Sequence, residues 1–269
     1  MKIKDKVVLI TGGASGIGRI MGRIALEKGA KALAIWDINE ANLADTHTNH
    51  SKLGTVRTYR VDVSSYDIVK EAYDSTCADL GQVDIIIQCA GIVTSNRTFD
   101  ENTPEEVQRT ISINTIAPMY VGMVAIKDMI ARDSGQIVTI ASAAGLLSLP
   151  KMSIYAASKW GAIAWSDSVR IELQMKKSKV QMTTIAPYFI NTGMFDGIES
   201  KFFPILDPEK TSAKIIRAVE KGKIFKGIPF SFHFARLMQG ILPAKWLDFI
   251  FGEVFGIYHV MDHFKGRQK

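Results

Sequence analysis

The segment Thr11-Gly12-Gly13-Ala14-Ser15-Gly16-Ile17-Gly18 follows a short apolar run at 7–10 and opens a helix-length stretch at 16–28. No other feature of the chain limits its fold so tightly. Glycines at the spacing G-x3-G-x-G, set between a buried strand and a helix, meet three backbone needs. Gly12 permits a tight turn, Gly16 lets backbone approach a pyrophosphate, and Gly18 lets helix and strand pack closely. The helix start adds unpaired N–H groups and the positive end of the helix dipole, both suited to phosphate. Ser15 and Ile17 lie between these glycines in the same candidate cradle. A plain turn with no ligand is the competing reading, and the strand-before, helix-after context weighs against it.

The strand-then-helix pattern repeats along the chain. Runs at 7–10, 32–36, 56–61, 83–87, 136–140 and 180–185 are rich in β-branched residues and bounded by glycine or polar turns, as buried strands are. The clearest helical stretches are 16–28, 65–80, 104–132 and 153–176. Six such alternations predict an α/β fold: a single doubly wound Rossmann domain, its parallel sheet covered by helices on both faces. No repeat or linker interrupts it, so one domain is expected over 1–269. Residues 1–186 form the cofactor-binding and catalytic core, and 187–269 a substrate loop with a C-terminal helical extension. The stretch 187–208 reads as a long loop with short helical pieces, a length that usually signals function. A helix is expected at 209–221, with Asp207-Pro208 as its start signal.

Asp37 ends the second predicted strand. An acid there accepts both ribose hydroxyls of an adenosine and repels a 2′-phosphate. Neither Ser15 nor Ile38 supplies a cation for such a phosphate, so NAD is expected over NADP. The competing role for Asp37 is N-cap of a helix starting near Asn39. Asp62 and Val63 close the third strand, where an adenine edge would lie; a turn-initiating aspartate accounts for Asp62 nearly as well.

Tyr155-Ala156-Ala157-Ser158-Lys159 puts Tyr155 and Lys159 at i and i+4, on one helix face. A lysine there can lower the pKa of the phenol, and a phenol so shifted can exchange a proton with an alcohol or carbonyl oxygen. Alone, the spacing is equally that of an amphipathic helix face. Ser142 lies just past the fifth strand, at the carboxyl end where open α/β sheets bind ligands. Asn114 sits inside a helical stretch, where asparagine is a poor helix former and suits pinning a water or bending the helix.

In this order the residues resemble the short-chain dehydrogenase/reductase family, over roughly the first 195 residues. The resemblance rests on Thr11-Gly12-x3-Gly16-x-Gly18, Asp37, Asp62, Ala90-Gly91, Asn114, Ser142, Tyr155-x3-Lys159, Pro187 and Thr192. It implies Tyr155 as acid/base and Ser142 as stabiliser of the carbonyl oxygen. Lys159 would bind the nicotinamide ribose and modulate Tyr155, Asn114 would complete a proton relay through water, and Thr192 would contact the carboxamide. Two positions depart from the family pattern. Gln88-Cys89-Ala90-Gly91 stands where the family has Asn-Asn-Ala-Gly, whose second asparagine ties the central sheet. Cys89 has no amide, which bears on sheet or cofactor-loop stability; a small core residue is its expected role. Pro187-Tyr188 replaces Pro-Gly, stiffening the loop beside the nicotinamide. Residues 187–195 and the ending Met261-Asp262-His263-Phe264-Lys265-Gly266-Arg267 also resemble the branch acting on retinoids, long-chain alcohols and 17β-hydroxysteroids.

The bulk numbers set the remaining bounds. Hydrophobic residues make up 47% of the 269, enough for a sizeable core. Cys77 and Cys89 form no disulfide framework or metal pattern, and the five histidines show no ligand spacing, so no metal and a reducing, cytoplasmic setting are expected. The start of the chain lacks the apolar length of a signal peptide, and no stretch is long enough to span a membrane. The net charge of +6 is uneven: eleven basic residues from Lys210 to Lys269 stand against four acids. No nucleic-acid motif accompanies them. Leu242, Trp246, Phe249, Ile250, Val254, Ile257 and Met261 read as one stripe of an amphipathic helix, a lid or subunit-interface element. Peripheral docking on an anionic membrane through that helix is the competing reading.

The expectation is an NAD-linked oxidoreductase that interconverts an alcohol and a ketone or aldehyde on a small apolar substrate of steroid, retinoid or long-chain type. The family suggests a homodimer or homotetramer. A catalytically inactive NAD-binding regulatory or scaffolding protein is the alternative, resting on Gln88-Cys89 alone.

Overall fold

A computed structural model describes residues 1–200 and 202–266, without the side chains of Ala235 and Arg236. Arg267 and Lys269 of the basic tail lie outside the described residues. Seven strands form one parallel sheet: β1 (Val7–Thr11), β2 (Ala32–Asp37), β3 (Val56–Arg60), β4 (Ile85–Gln88), β5 (Gln136–Ile140), β6 (Gln181–Pro187) and β7 (Phe225–Ile228). Their order is β3-β2-β1-β4-β5-β6-β7, which reverses direction between β1 and β4. A crevice opens at the carboxyl ends of strands at such a reversal, and ligands of open α/β sheets bind there.

Side chains of each strand alternate between two cores. Val8 and Ile10 of β1 point to one face, against Met21 and Ile24 of α1 (Gly16–Glu27), Leu43 of α2 (Glu40–His50) and Ile215, Ile216 and Val219 of α7 (Pro208–Glu220). Val7 and Leu9 point to the other. There they meet Val69 and Tyr73 of α3 (Tyr66–Leu80), Val121 and Met129 of α5 (Ala117–Ala131) and Leu173 of α6 (Ser153–Met175). The doubly wound fold with helices on both faces is therefore present. A third apolar cluster, including Leu147, Tyr188, Phe189, Phe232 and Phe251, sits past the ends of β5 and β6.

Two elements join those expected, and three expectations need correction. β7 escapes the strand pattern because Lys226 and Gly227 break its apolar run. α2 carries only a weak apolar stripe and was not among the clear helices. The single helix expected at 104–132 is two helices, α4 (Pro104–Ile111) and α5, joined by a π turn at Ser112–Ile116. Pro118 explains the break. It has no N–H to give the Asn114 carbonyl, and its ring crowds that carbonyl. The chain relaxes into a wider turn, in which the Ala117 N–H reaches back five residues to the Ser112 carbonyl. The loop at 187–208 holds no helical piece among its described residues; a bridge between Ile190 and Leu206 closes its base.

The C-terminal extension is helical, but it is not one helix with one stripe. α8 (Phe232–Ile241) ends before Pro243, and α9 (Ala244–Asp248) runs into a π turn at Phe249–Val254. Gly256 then takes a left-handed conformation (φ +64°). A π turn inserts a residue and rotates the phase of everything after it. Trp246, Phe249 and Val254 of the expected stripe are exposed, while Ile257 and Met261, beyond the π turn, are buried along with Phe251 and Val260.

Candidate active site

The turn from β1 to α1 is dictated by backbone crowding. Gly12 (φ +64°) and Gly16 (φ +50°) occupy the left-handed region, which strains any residue with a Cβ. A Cβ on Gly12 would lie 2.8 Å from the Ala90 Cα, and one on Gly18 would overlap the Gly12 carbonyl oxygen. Ser15 precedes α1 in an extended conformation, and its side chain makes no capping bond. The N–H groups of the first helical turn have no intrahelical acceptor. The cradle thus fits a phosphate group in both shape and polarity.

Asp37 closes the far side of this cradle. Its carboxylate accepts from the Ala14 N–H and the Asn39 N–H, each at 3.1 Å. Asn39 caps α2, accepting from the Asn42 N–H at 2.9 Å, so Asp37 is not the N-cap of that helix. Asp62 accepts from Ser64 N–H (2.9 Å) and Ser64 Oγ (2.6 Å), the turn-forming role weighed for it. A cleft of about 290 Å³ is lined by every residue expected to hold the cofactor: Gly12, Ser15, Gly16, Ile17, Gly18, Asp37, Asp62, Val63, Ala90, Gly91, Tyr155, Lys159, Pro187 and Thr192.

Ser142 shares that cleft with Tyr155 and Lys159. Ser142 Oγ accepts from the Ala144 N–H at 3.1 Å and bonds the Tyr155 hydroxyl. Burial pushes the Tyr155 phenol up to about 12, against the opposing pull of the Ser142 bond. Lys159 Nζ lies 5.7 Å from the centre of the Tyr155 ring and donates to the Ile140 carbonyl at 3.2 Å. Burial lowers the ammonium to about 8. The expected depression of Tyr155 by Lys159 is not found: desolvation sets the direction of the shift, and Ser142, not Lys159, is what opposes it. Cys89, set into the same wall, is pushed up to about 12 by burial, which leaves it a thiol rather than a nucleophile.

Asn114 sits behind the cleft wall, in the π turn. Its side chain exchanges two bonds with Ile92, accepting from the N–H and donating to the carbonyl at 2.9 Å each, and donates to Ser158 Oγ at 3.1 Å. It anchors the loop after β4 to α6, the helix that carries Tyr155 and Lys159. The tie attributed to the missing asparagine is made by Gln88 instead. Its amide donates to the Pro118 carbonyl at 2.7 Å and accepts from Thr139 Oγ1 at 3.0 Å, linking β4, β5 and α5. Tyr188 stacks on Phe232 (5.4 Å) and its hydroxyl meets Ser200 Oγ at 3.0 Å. Arg109, Ile113, Met194 and Phe195 also line the cleft. Sequence reasoning missed them because α4 and the loop at 187–208 reach the cleft only through tertiary packing.

The fold and the cleft are those of a dinucleotide-linked oxidoreductase. The chain belongs to the short chain dehydrogenase family, whose model matches residues 6–201. It is 33% identical to epidermal retinol dehydrogenase 2 of Mus musculus, over 99% of this chain and 87% of that one. Identity with estradiol 17-beta-dehydrogenase 11 of Homo sapiens is 30%, covering 91% and 82%. The resemblance to the retinol and 17β-hydroxysteroid branch is borne out at this level. A short chain dehydrogenase/reductase from Burkholderia phymatum, solved in complex with NAD, superposes with a TM-score of 0.81 at 23% identity, covering 89% of this chain and 95% of that one.

Proposed function

We propose that this protein is an NAD(H)-dependent oxidoreductase that interconverts an alcohol and a ketone or aldehyde on an apolar substrate of steroid, retinoid or long-chain type. The observation that carries the reading is one cleft holding the glycine cradle, Asp37, Ser142, Tyr155 and Lys159. Bound nicotinamide supplies the hydride acceptor or donor. Tyr155 exchanges the proton with the substrate oxygen, which Ser142 holds by a hydrogen bond. Lys159 orients the nicotinamide ribose and places positive charge beside the phenol. Asn114 fixes the loop and helix that set these groups and passes the proton outward through water. Asp37 accepts the ribose hydroxyls and repels a 2′-phosphate, which favours NAD over NADP. Thr192, beside Gly16, contacts the carboxamide. The names of the relatives and the apolar cluster past β5 and β6 support a lipid or steroid substrate. The alternative, an NAD-binding protein without turnover, loses its support because Gln88 restores the sheet tie. The test is a cofactor-coupled panel of sterols, retinoids and fatty alcohols with wild type and Tyr155→Phe. Turnover by wild type alone, with NADH binding kept by both, is expected. Equal turnover by the variant would overturn the assignment.

The same reading places the protein in the cytoplasm, as a homodimer or homotetramer, with the C-terminal segment as a lid or subunit interface; peripheral docking on an anionic membrane is the competing reading. No described helix is long and apolar enough to cross a bilayer. The contact surface differs from the stripe expected from sequence. Phe234, Leu237 and Ile241 follow one another at spacings of three and four along α8, Phe230 stands in the turn just before it, and all four are more than half exposed. Lys226 Nζ stands 5.5 Å from the Phe230 ring centre. An apolar ridge beside a cation suits the headgroup boundary of an anionic bilayer.

A further inference from the structure

A small apolar cavity opens beside the cleft, walled by Ala143, Ala144, Leu147, Leu149 and aromatic rings. Its volume is about 20 Å³, room for little more than one water molecule. Three residues belong to both cleft and cavity: Ser142, Tyr188 and Phe195. Ser142 carries the polar group at the reacting position. Tyr188 is fixed, because its N–H donates to the Ile228 carbonyl at 2.7 Å, its hydroxyl meets Ser200, and its ring stacks on Phe232. Phe195 is held differently. It stands edge-on to Tyr155 with ring centres 6.0 Å apart, midway along a loop bounded by Gly193 (φ +82°) and Gly197 (φ +83°).

That loop is tied down by the end of the described chain. The Lys265 N–H donates to the Asp196 carbonyl at 2.8 Å, and Phe264 lies 6.3 Å from the Phe195 ring. Backbone at His263 and Lys265 fills the space where a Cβ on Gly197 would sit. The same segment is fastened at two other points of the rim. Asn96 Nδ2 donates to the Met261 carbonyl at 3.0 Å, and Lys151 pairs with Asp262 at 2.8 Å.

We propose that Phe195 is a specificity-determining gate between the reacting groups and the apolar cavity, and that residues 261–265 are the strap that sets its position. The proposal rests on the oxidoreductase reading of the cleft and deepens it. With the ring in place, the space in front of Ser142 takes only a small alcohol or carbonyl compound. With the ring displaced, cleft and cavity join into a space for an extended apolar body attached to the reacting carbon. Among the described residues, no polar side chain beyond Ser142 and the engaged Tyr188 lines the cavity, so polar groups far along the substrate are rejected.

The experiment has two readouts on NADH-loaded protein. The first is binding of the neutral apolar fluorophore N-phenyl-1-naphthylamine. Phe195→Ala is expected to bind it about tenfold more tightly than wild type, in line with removal of a buried aromatic wall. Gly197→Ala, whose methyl pushes the strap away, is expected to shift binding in the same direction. The second readout is the kcat/KM ratio of 2-decanol to 2-butanol, which rises in both variants. Unchanged fluorophore affinity in Phe195→Ala, with NADH binding intact, overturns the gate. A shift in Phe195→Ala but none in Gly197→Ala overturns the strap. If Phe195→Ala loses NADH binding, Phe195→Leu carries the same test. Tighter fluorophore binding without turnover of any alcohol leaves the gate standing and removes the oxidoreductase reading.

Discussion

Pro118 lies four residues after Asn114, and the helix between them widens into a π turn that turns the Asn114 amide toward Ile92 and Ser158. A proline cannot bond the carbonyl four residues back, so the position of the asparagine is written one turn downstream of it. Pro118→Ala would allow a regular helix through 112–118. The expected outcome is a rise in helix stability and a fall in turnover of about tenfold or more, as the loop after β4 loses its anchor. Thermal unfolding and kcat check the two halves separately.

The buried ammonium of Lys159 costs stability where it is charged. Its folded pKa, about 8, lies below the ordinary lysine value of 10.5. The unfolded chain therefore binds more protons between these values, and stability rises with pH across that window. Below about 8 the full penalty is present. Lys159→Met is expected to raise stability at pH 7 by roughly 1–3 kcal/mol, with the gain shrinking toward pH 10. Denaturant titrations of both proteins at pH 7 and pH 10 measure it; a constant difference would refute it.

Tyr155 is raised to about 12 by burial, so it is a phenol throughout the neutral range. Proton uptake from an alcohol needs the phenolate, whose fraction grows about tenfold per pH unit below the pKa. Oxidation is expected to speed up from pH 7 to 9, whereas reduction, which needs the phenol, does not. Initial rates in both directions give the profile.

Asp37→Asn keeps the acceptor for the turn around Ala14 and Asn39 while removing the charge at the cradle. Preference for NAD over NADP is expected to fall by about tenfold or more, since a fixed anion no longer opposes the 2′-phosphate. Paired titrations with the two reduced cofactors decide it.

Leu237→Asp and Ile241→Asp on the outer side of α8 are expected to abolish flotation with phosphatidylserine vesicles while leaving NADH binding unchanged. Retained flotation would remove the membrane contact. A halved mass in solution for the variants would make this ridge a subunit interface instead.

Much of the core was legible because its signals are local. The glycine loop, the β-branched runs and Tyr155-x3-Lys159 each arise within a few residues, and strand and helix periods are set by the backbone. β7 was missed because Lys226 and Gly227 spoil a four-residue run that only its pairing with β6 stabilises. The C-terminal stripe was misphased because a π turn leaves no periodic trace. Gln88 shows a different limit. The missing asparagine could be seen in the sequence, but the reach of the longer amide across to Pro118 and Thr139 depends on strand packing. Phe195 entered only as the last residue of the 187–195 resemblance, with no role of its own, since its neighbours come from 155, 189 and 264.

The unequal sizes of the two spaces around Ser142 have a kinetic consequence. The dinucleotide cleft holds about 290 Å³, whereas the apolar cavity holds about 20 Å³. One ligand finds a ready-made seat, and the other has to wait for a ring to swing. Encounters should therefore follow a compulsory sequence, dinucleotide first and lipid-like molecule second. Inhibition by the product dinucleotide would be competitive against the first and mixed against the second.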